Sequence, residues 1–85
     1  MYQVVYKKRA TKMLARMSPV DRRRMLDALG ELARDPAAAK LDTKRLQARN
    51  GFRLRVGDWR VLYELESERL IIQVVQISPK GDICK

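Results

Sequence analysis

Phe52-Arg53-Leu54-Arg55-Val56-Gly57-Asp58-Trp59-Arg60-Val61-Leu62-Tyr63 alternates apolar and basic residues on both sides of a Gly-Asp pair. Successive side chains of a strand point to opposite faces, so each half of this stretch reads as a strand with one apolar and one polar side. Gly-Asp between two such runs is a two-residue hairpin signal, because glycine takes the positive φ that the first turn position requires. The turn fixes the register: Val56 opposite Trp59, Arg55 opposite Arg60, Leu54 opposite Val61, Arg53 opposite Leu62 and Phe52 opposite Tyr63. Phe52, Leu54, Val56, Trp59, Val61 and Tyr63 then share one face, which needs a cover. Arg53, Arg55 and Arg60 share the other.

The cover is legible upstream. Tyr2 to Tyr6 is short, aromatic and β-branched, which suits an opening strand. From Lys8 to Met17 the residues Ala10, Met13, Leu14 and Met17 fall at helical spacing. Ser18-Pro19-Val20-Asp21 supplies an N-cap serine, a proline at the first helical position and an acid in the first turn. Met25, Leu26, Leu29, Leu32 and Ala33 carry a second helix to about Arg34, where Asp35-Pro36 ends it. The two helices are expected to form an antiparallel hairpin.

Ala37 to Asn50 shows no period and reads as a connecting loop anchored by Leu41 and Leu46. Downstream, Phe52 to Val56, Trp59 to Leu65 and Leu70 to Ile77 read as strands, with a short last one near Asp82 to Cys84. The expected order is β-α-α-β-β-β-β. This is an α+β fold in which an N-terminal strand and a helical hairpin pack with one face of a mainly antiparallel sheet of four to five strands. Neither repeat nor linker divides the chain, so residues 1–85 are expected to form a single domain.

Composition narrows the chemistry. Hydrophobic residues at 46% and charged residues at 34% suit a folded domain. Nineteen Lys and Arg against ten Asp and Glu leave +9, a self-repelling surface that a polyanion would relieve. Absence of histidine removes the usual general base and the commonest metal ligand, and the single Cys84 makes neither an internal disulfide nor a zinc site. No metal and no cofactor are expected. No apolar run approaches the roughly 18 residues that span a bilayer, so the expectation is a cytoplasmic protein without membrane contact.

The arginine face is the sharpest functional signal. Two arginines directly opposed across a ladder repel, at a cost of up to about 1 kcal/mol relative to a neutral pair, unless an anion bridges them. Guanidinium groups grip phosphate bidentately and stay charged at any working pH. If the next turn is built around Glu66 to Glu68, Glu64 faces Arg69 and Gln73 lies beside Arg60. A plainer reading makes Arg53 and Arg55 the solvent side of an amphipathic strand, neutralised by Glu64 or other acids. With Trp59 and Tyr63 turned to the core, base stacking has little support and a backbone-directed RNA contact has more.

Over nearly its whole length the chain resembles the RelE/ParE toxins of bacterial toxin–antitoxin pairs. The resemblance is carried by Lys44-Arg45-Leu46, by Gly51 to Glu64 with its Gly-Asp-Trp-Arg-Val-Leu-Tyr run, and by the closing Ile77-Ser78-Pro79-Lys80-Gly81-Asp82-Ile83-Cys84. In the RelE branch it implies ribosome-dependent, metal-independent cleavage of messenger RNA. There, basic residues orient the 2′-hydroxyl for attack on the neighbouring phosphate, and a terminal tyrosine assists proton transfer. Carried over by position, Arg53 and Arg60 match basic site residues and Arg55 a neighbouring one. Lys80 stands where the family has an arginine, and Cys84 where it has the tyrosine. The implied catalytic set is Arg53, Arg60, Lys80 and Cys84, with Arg55, Lys44, Arg45 and Arg49 as RNA-binding residues.

The resemblance also implies a cognate antitoxin whose extended segment wraps the domain, and the ribosome and messenger as targets. Two alternatives stand beside this one: a ParE-like inhibitor of DNA gyrase, and a catalytically weakened toxin that serves only as an antitoxin-binding partner.

Overall fold

The computed structural model describes residues 1–47 and 51–79. Strand β1 (Gln3–Tyr6) leads into α1 (Lys8–Arg16) and α2 (Pro19–Arg34), followed by β2 (Asp42–Arg45), β3 (Gly51–Val56), β4 (Trp59–Glu66) and β5 (Ile71–Pro79). The strands form one five-stranded sheet in the order β1-β5-β4-β3-β2. β1 runs parallel to β5 and the other pairings are antiparallel.

The hairpin register is the expected one throughout, from Val56 opposite Trp59 to Phe52 opposite Tyr63. Gly57 sits at φ 58° in the turn, and a Cβ there would stand 3.1 Å from the Arg24 guanidinium. Phe52 and Tyr63 stack with ring centroids 5.4 Å apart, which reinforces the pairing on the core side. Trp59 Nε1 donates to Asp21 Oδ2 at 3.3 Å, tying the hairpin to the first turn of α2.

The helices begin and end where their chemistry requires. Ser18 Oγ accepts from the Asp21 N–H at 3.2 Å, with Pro19 behind it. Met25, Leu29, Leu32 and Ala33 are buried at i, i+4, i+7 and i+8, a single stripe. Ala10 and Met17 do the same for α1. These meet Leu54, Val56, Val61, Tyr63, Ile72, Val74 and Ile77 from the sheet to make the core.

Arg22 joins the two helices. Its Nε donates to Leu14 O at 2.9 Å and its Nη2 to Met17 O at 2.9 Å and Ala15 O at 3.3 Å. The last carbonyls of a helix lack partners within it and carry partial negative charge, so one cation satisfies α1's end.

Two expectations are corrected. The segment taken as loop from Ala37 to Asn50 contains β2, which pairs Asp42 to Arg45 against Arg55 to Phe52. Asp-Thr-Lys-Arg has no apolar alternation, and pairing to β3 alone makes it a strand; a charged edge strand also resists further pairing. The turn after β4 covers Ser67 to Leu70, with Leu70 at φ 53°. Glu64 therefore faces Gln73, not Arg69, and Arg60 faces Ser78, with Gln73 four rungs away. The strand expected near Asp82 to Cys84 lies outside the described residues.

Arg22→Ala should remove all three bonds to α1 and lower unfolding free energy by about 2 kcal/mol. Urea denaturation checks this, with Arg23→Ala, an exposed neighbour on the same helix, as the near-neutral comparison.

Candidate functional site

Side chains on the sheet face away from the helices come from three central strands and one edge. β3 contributes Arg53 and Arg55, β4 contributes Arg60, Leu62 and Glu64, β5 contributes Gln73, Gln76 and Ser78, and β2 contributes Asp42 and Lys44. β5 reaches this arrangement through a bulge: Leu62 pairs with Gln76 while Tyr63 pairs with Val74, leaving Val75 as the extra residue. Ile72 and Val74 face the core before it, Ile77 after it. Without that step Gln76 and Ser78 would point at the helices.

Arg60 occupies the middle of the face. It is 4% exposed, with Arg55 opposite on one side and Ser78, itself 5% exposed, on the other. Among the described residues its Nε and Nη1 have no hydrogen-bond partner, and neither has the buried Nε of Arg53. A buried guanidinium with free N–H groups costs several kcal/mol, roughly, unless an acceptor arrives. These three donors lie on the neighbouring strands β3 and β4. Gln76 Nε2 donates to Ser78 Oγ at 2.9 Å and orients the hydroxyl beside it.

The edge of the face is partly balanced. Asp42 Oδ1 lies 3.8 Å from Arg53 Nη2 and its Oδ2 lies 3.5 Å from Arg55 Nε. Neutralisation thus comes from an acid on β2, and Glu64, the acid the sequence singled out, is in no ion pair among the described residues. Arg60 is untouched by Asp42.

Of the sequence-derived candidates, Arg53, Arg55, Arg60 and Lys44 lie on this one face. Arg45 does not: it pairs with Phe52 and so belongs to the opposite side of the sheet, at its edge. Arg49, Lys80 and Cys84 fall outside the described residues. Asp42 was missed because nothing in Ala37 to Asn50 signals a strand. Gln76 and Ser78 had a signal, the Val74-Val75 doublet that breaks the alternation of β5. Among the described residues no cluster of three acids or cysteines is placed to hold a metal ion, and no helix is long and apolar enough to cross a membrane.

Tyr63 is nearly buried on the core side, and desolvation pushes its phenol up to about 12. Burial raises Tyr6 as well.

Comparison with known proteins bears on this site. Residues 4–83 match the family described as the ParE toxin of the type II toxin–antitoxin system, parDE. The fold superposes on the archaeal RelE–RelB complex from Pyrococcus horikoshii OT3 with a TM-score of 0.84 and 27% identity, over 95% of this chain and 97% of that one. A RelBE toxin–antitoxin complex from Mycobacterium tuberculosis gives 0.78 and 23%, over 93% and 98%. A YoeB/ParE toxin from Agrobacterium tumefaciens gives 0.78 and 15%, over 93% and 98%. No curated protein matches by sequence.

The raised phenol makes a pH prediction. The folded state holds Tyr63 neutral while the unfolded chain ionises it near 10.0, so its contribution is complete below pH 10 and is lost as pH rises toward 12. Wild type should therefore lose stability over that interval relative to Tyr63→Phe, by at most about 1.4 kcal/mol per pH unit. Parallel denaturation series at high pH check it, and parallel curves for the two proteins would contradict the assignment.

Proposed function

The chain belongs to the RelE/ParE family of type II toxins, and within it we propose a toxin, residues 1–85 acting as one domain, that cleaves messenger RNA on the ribosome and is neutralised by a cognate antitoxin. The carrying observation is Arg60, buried at the centre of a cationic face with two unpartnered N–H groups. Such donors are preorganised toward an oxyanion, and their value is greatest where water is excluded.

In the proposed reaction the 2′-hydroxyl oxygen of one nucleotide bonds to the adjacent phosphorus and the bond from that phosphorus to the 5′-oxygen breaks. Negative charge grows on the non-bridging oxygens as this happens. Arg60 and Arg53 supply donors to those oxygens, and Arg55 and Lys44 hold neighbouring phosphates. Asp42 must yield Arg53 when a phosphate arrives. Lys80 and Cys84 are the proposed contributors from the C-terminal motif, as a further cation and a proton carrier. The step needs no metal and no cofactor, and a ribosomal target places the activity in the cytoplasm.

An antitoxin partner is supported by relatives solved as toxin–antitoxin complexes, among them archaeal RelE with RelB. For this chain, with +9 charge, an acidic segment is the complementary partner.

One observation favours a second reading, inhibition of DNA gyrase: the matching family is the ParE toxin. The central arginines weigh toward the first, because a sheet face that concentrates donors on one point suits a single reacting phosphate. A third reading, a weakened toxin that only occupies its antitoxin, rests on Cys84 standing where the family has tyrosine.

The deciding experiment is messenger cleavage in a reconstituted translation system, with and without ribosomes, alongside gyrase supercoiling. Wild type should cut only with ribosomes present. Arg60→Ala should reduce the rate on the order of 10²- to 10³-fold while keeping the fold. Intact messenger with inhibited supercoiling would move the assignment to gyrase.

A further inference from the structure

The helix α1 is built against its own stability. Its sequence from Lys8 to Arg16 holds Lys8, Arg9, Lys12 and Arg16 and no acid, its N-cap residue Lys7 makes no side-chain capping bond, and its first turn has no carboxylate. Cations at a helix N-terminus oppose the macrodipole, and like charges at i, i+4 repel. Lys8, Lys12 and Arg16 are such a series, one per turn. The next helix differs at its N-terminus, with a serine cap and Asp21 in its first turn. Among the described residues none of the four α1 cations is in an ion pair.

The four cations and Met13 line a single shallow groove. One side-chain contact links that groove to the arginine face. β1 ends at Tyr6 opposite Val74, so among the described residues β5 beyond Val74 has no strand on that side. Arg9 reaches across the open edge, and its Nη1 donates to Gln76 Oε1 at 3.2 Å. Gln76 in turn donates to Ser78, which stands opposite Arg60. Arg9, Gln76 and Ser78 thus form a hydrogen-bonded chain that ends on the strand position opposite Arg60.

We infer that the α1 groove is a docking surface for RNA, holding the sugar–phosphate backbone of the strand that the arginine face engages; the inference takes its ligand from the proposed function above. Single-stranded nucleic acid is held by a positive groove that tracks its backbone, and a row of cations without acids provides one. A peptide helix would need apolar anchors at helical spacing, and the groove offers only Met13, half-buried. The repulsion within α1 is relieved when phosphates lie along it.

The test is fluorescence-anisotropy binding of RNA over a salt series, with probes of about 4 and about 16 nucleotides to span the range of known single-strand site sizes. Lys8→Gln, Lys12→Gln and Arg16→Gln are combined in one variant. For the longer RNA its salt slope should fall by about 2, the loss of three single-strand phosphate contacts, while binding of the shorter RNA stays as in wild type. The variant should melt a few degrees higher, roughly, since repulsion has been removed; a lower midpoint would contradict the stated cost. A comparison variant removes equal charge elsewhere, through Arg34→Gln, Lys40→Gln and Arg69→Gln.

An unchanged slope in the α1 variant, an equal loss in the comparison variant, or no binding of RNA by wild type overturns the docking surface. Arg53→Ala with Arg60→Ala separates the two claims. If that pair leaves the short RNA bound while the α1 variant still loses the long one, docking stands and the arginine-face assignment falls.

Discussion

The pairing of β3 with β4 across the Gly57-Asp58 turn is the constraint on which the rest depends. A two-residue turn admits one register, and in a strand a slip of a single residue exchanges the faces. That register puts Leu54, Val56, Val61 and Tyr63 under the helices and leaves three arginines on the far side. It also brings Trp59 to Asp21, so the turn that sets the sheet also anchors the start of α2. At Gly57 the positive φ is the requirement, and the nearby Arg24 guanidinium is the movable end of an exposed side chain.

The arginine face is not uniform. Asp42 bridges Arg53 and Arg55 at the exposed margin, whereas Arg60 at the centre has no acid. The outer pair is thereby kept from repelling while nothing is bound, at the expense of competing with an incoming anion. The inner guanidinium keeps two N–H groups without an acceptor among the described residues, and leaving them so costs the fold stability. The apolar core beneath the sheet is what makes such a cost bearable.

Most of this was legible because it is local. The hairpin register, the Ser18 cap, the stop at Asp35-Pro36 and the buried stripe Met25, Leu29, Leu32, Ala33 each follow from residues within one turn or one strand of each other. What the sequence hid is non-local. β2 has no apolar rhythm and exists because β3 offers hydrogen bonds. The turn at Ser67 to Leu70 carries no glycine, and a leucine takes the left-handed conformation, so the β4–β5 register had no visible marker. Asp42 entered the site with β2, and Arg45 left it, for the same reason. Arg53, Arg55 and Arg60 were found together since alternation and turn length suffice to group them.

Val75 has a larger role than its plain side chain suggests. It is the residue by which β5 outruns β4, and every position after it keeps its facing because Val75 stands outside the ladder. Deletion of Val75 would close the bulge and leave Gln76 and Ser78 on the arginine face and Ile77 in the core, whereas drawing Val75 into the ladder would turn Gln76 and Ser78 inward and Ile77 out. The chemistry of the face can therefore change by exchange of side chains, while its orientation is held by which residues pair, Tyr63 with Val74 and Arg60 with Ser78, and not by the length of the strand between them.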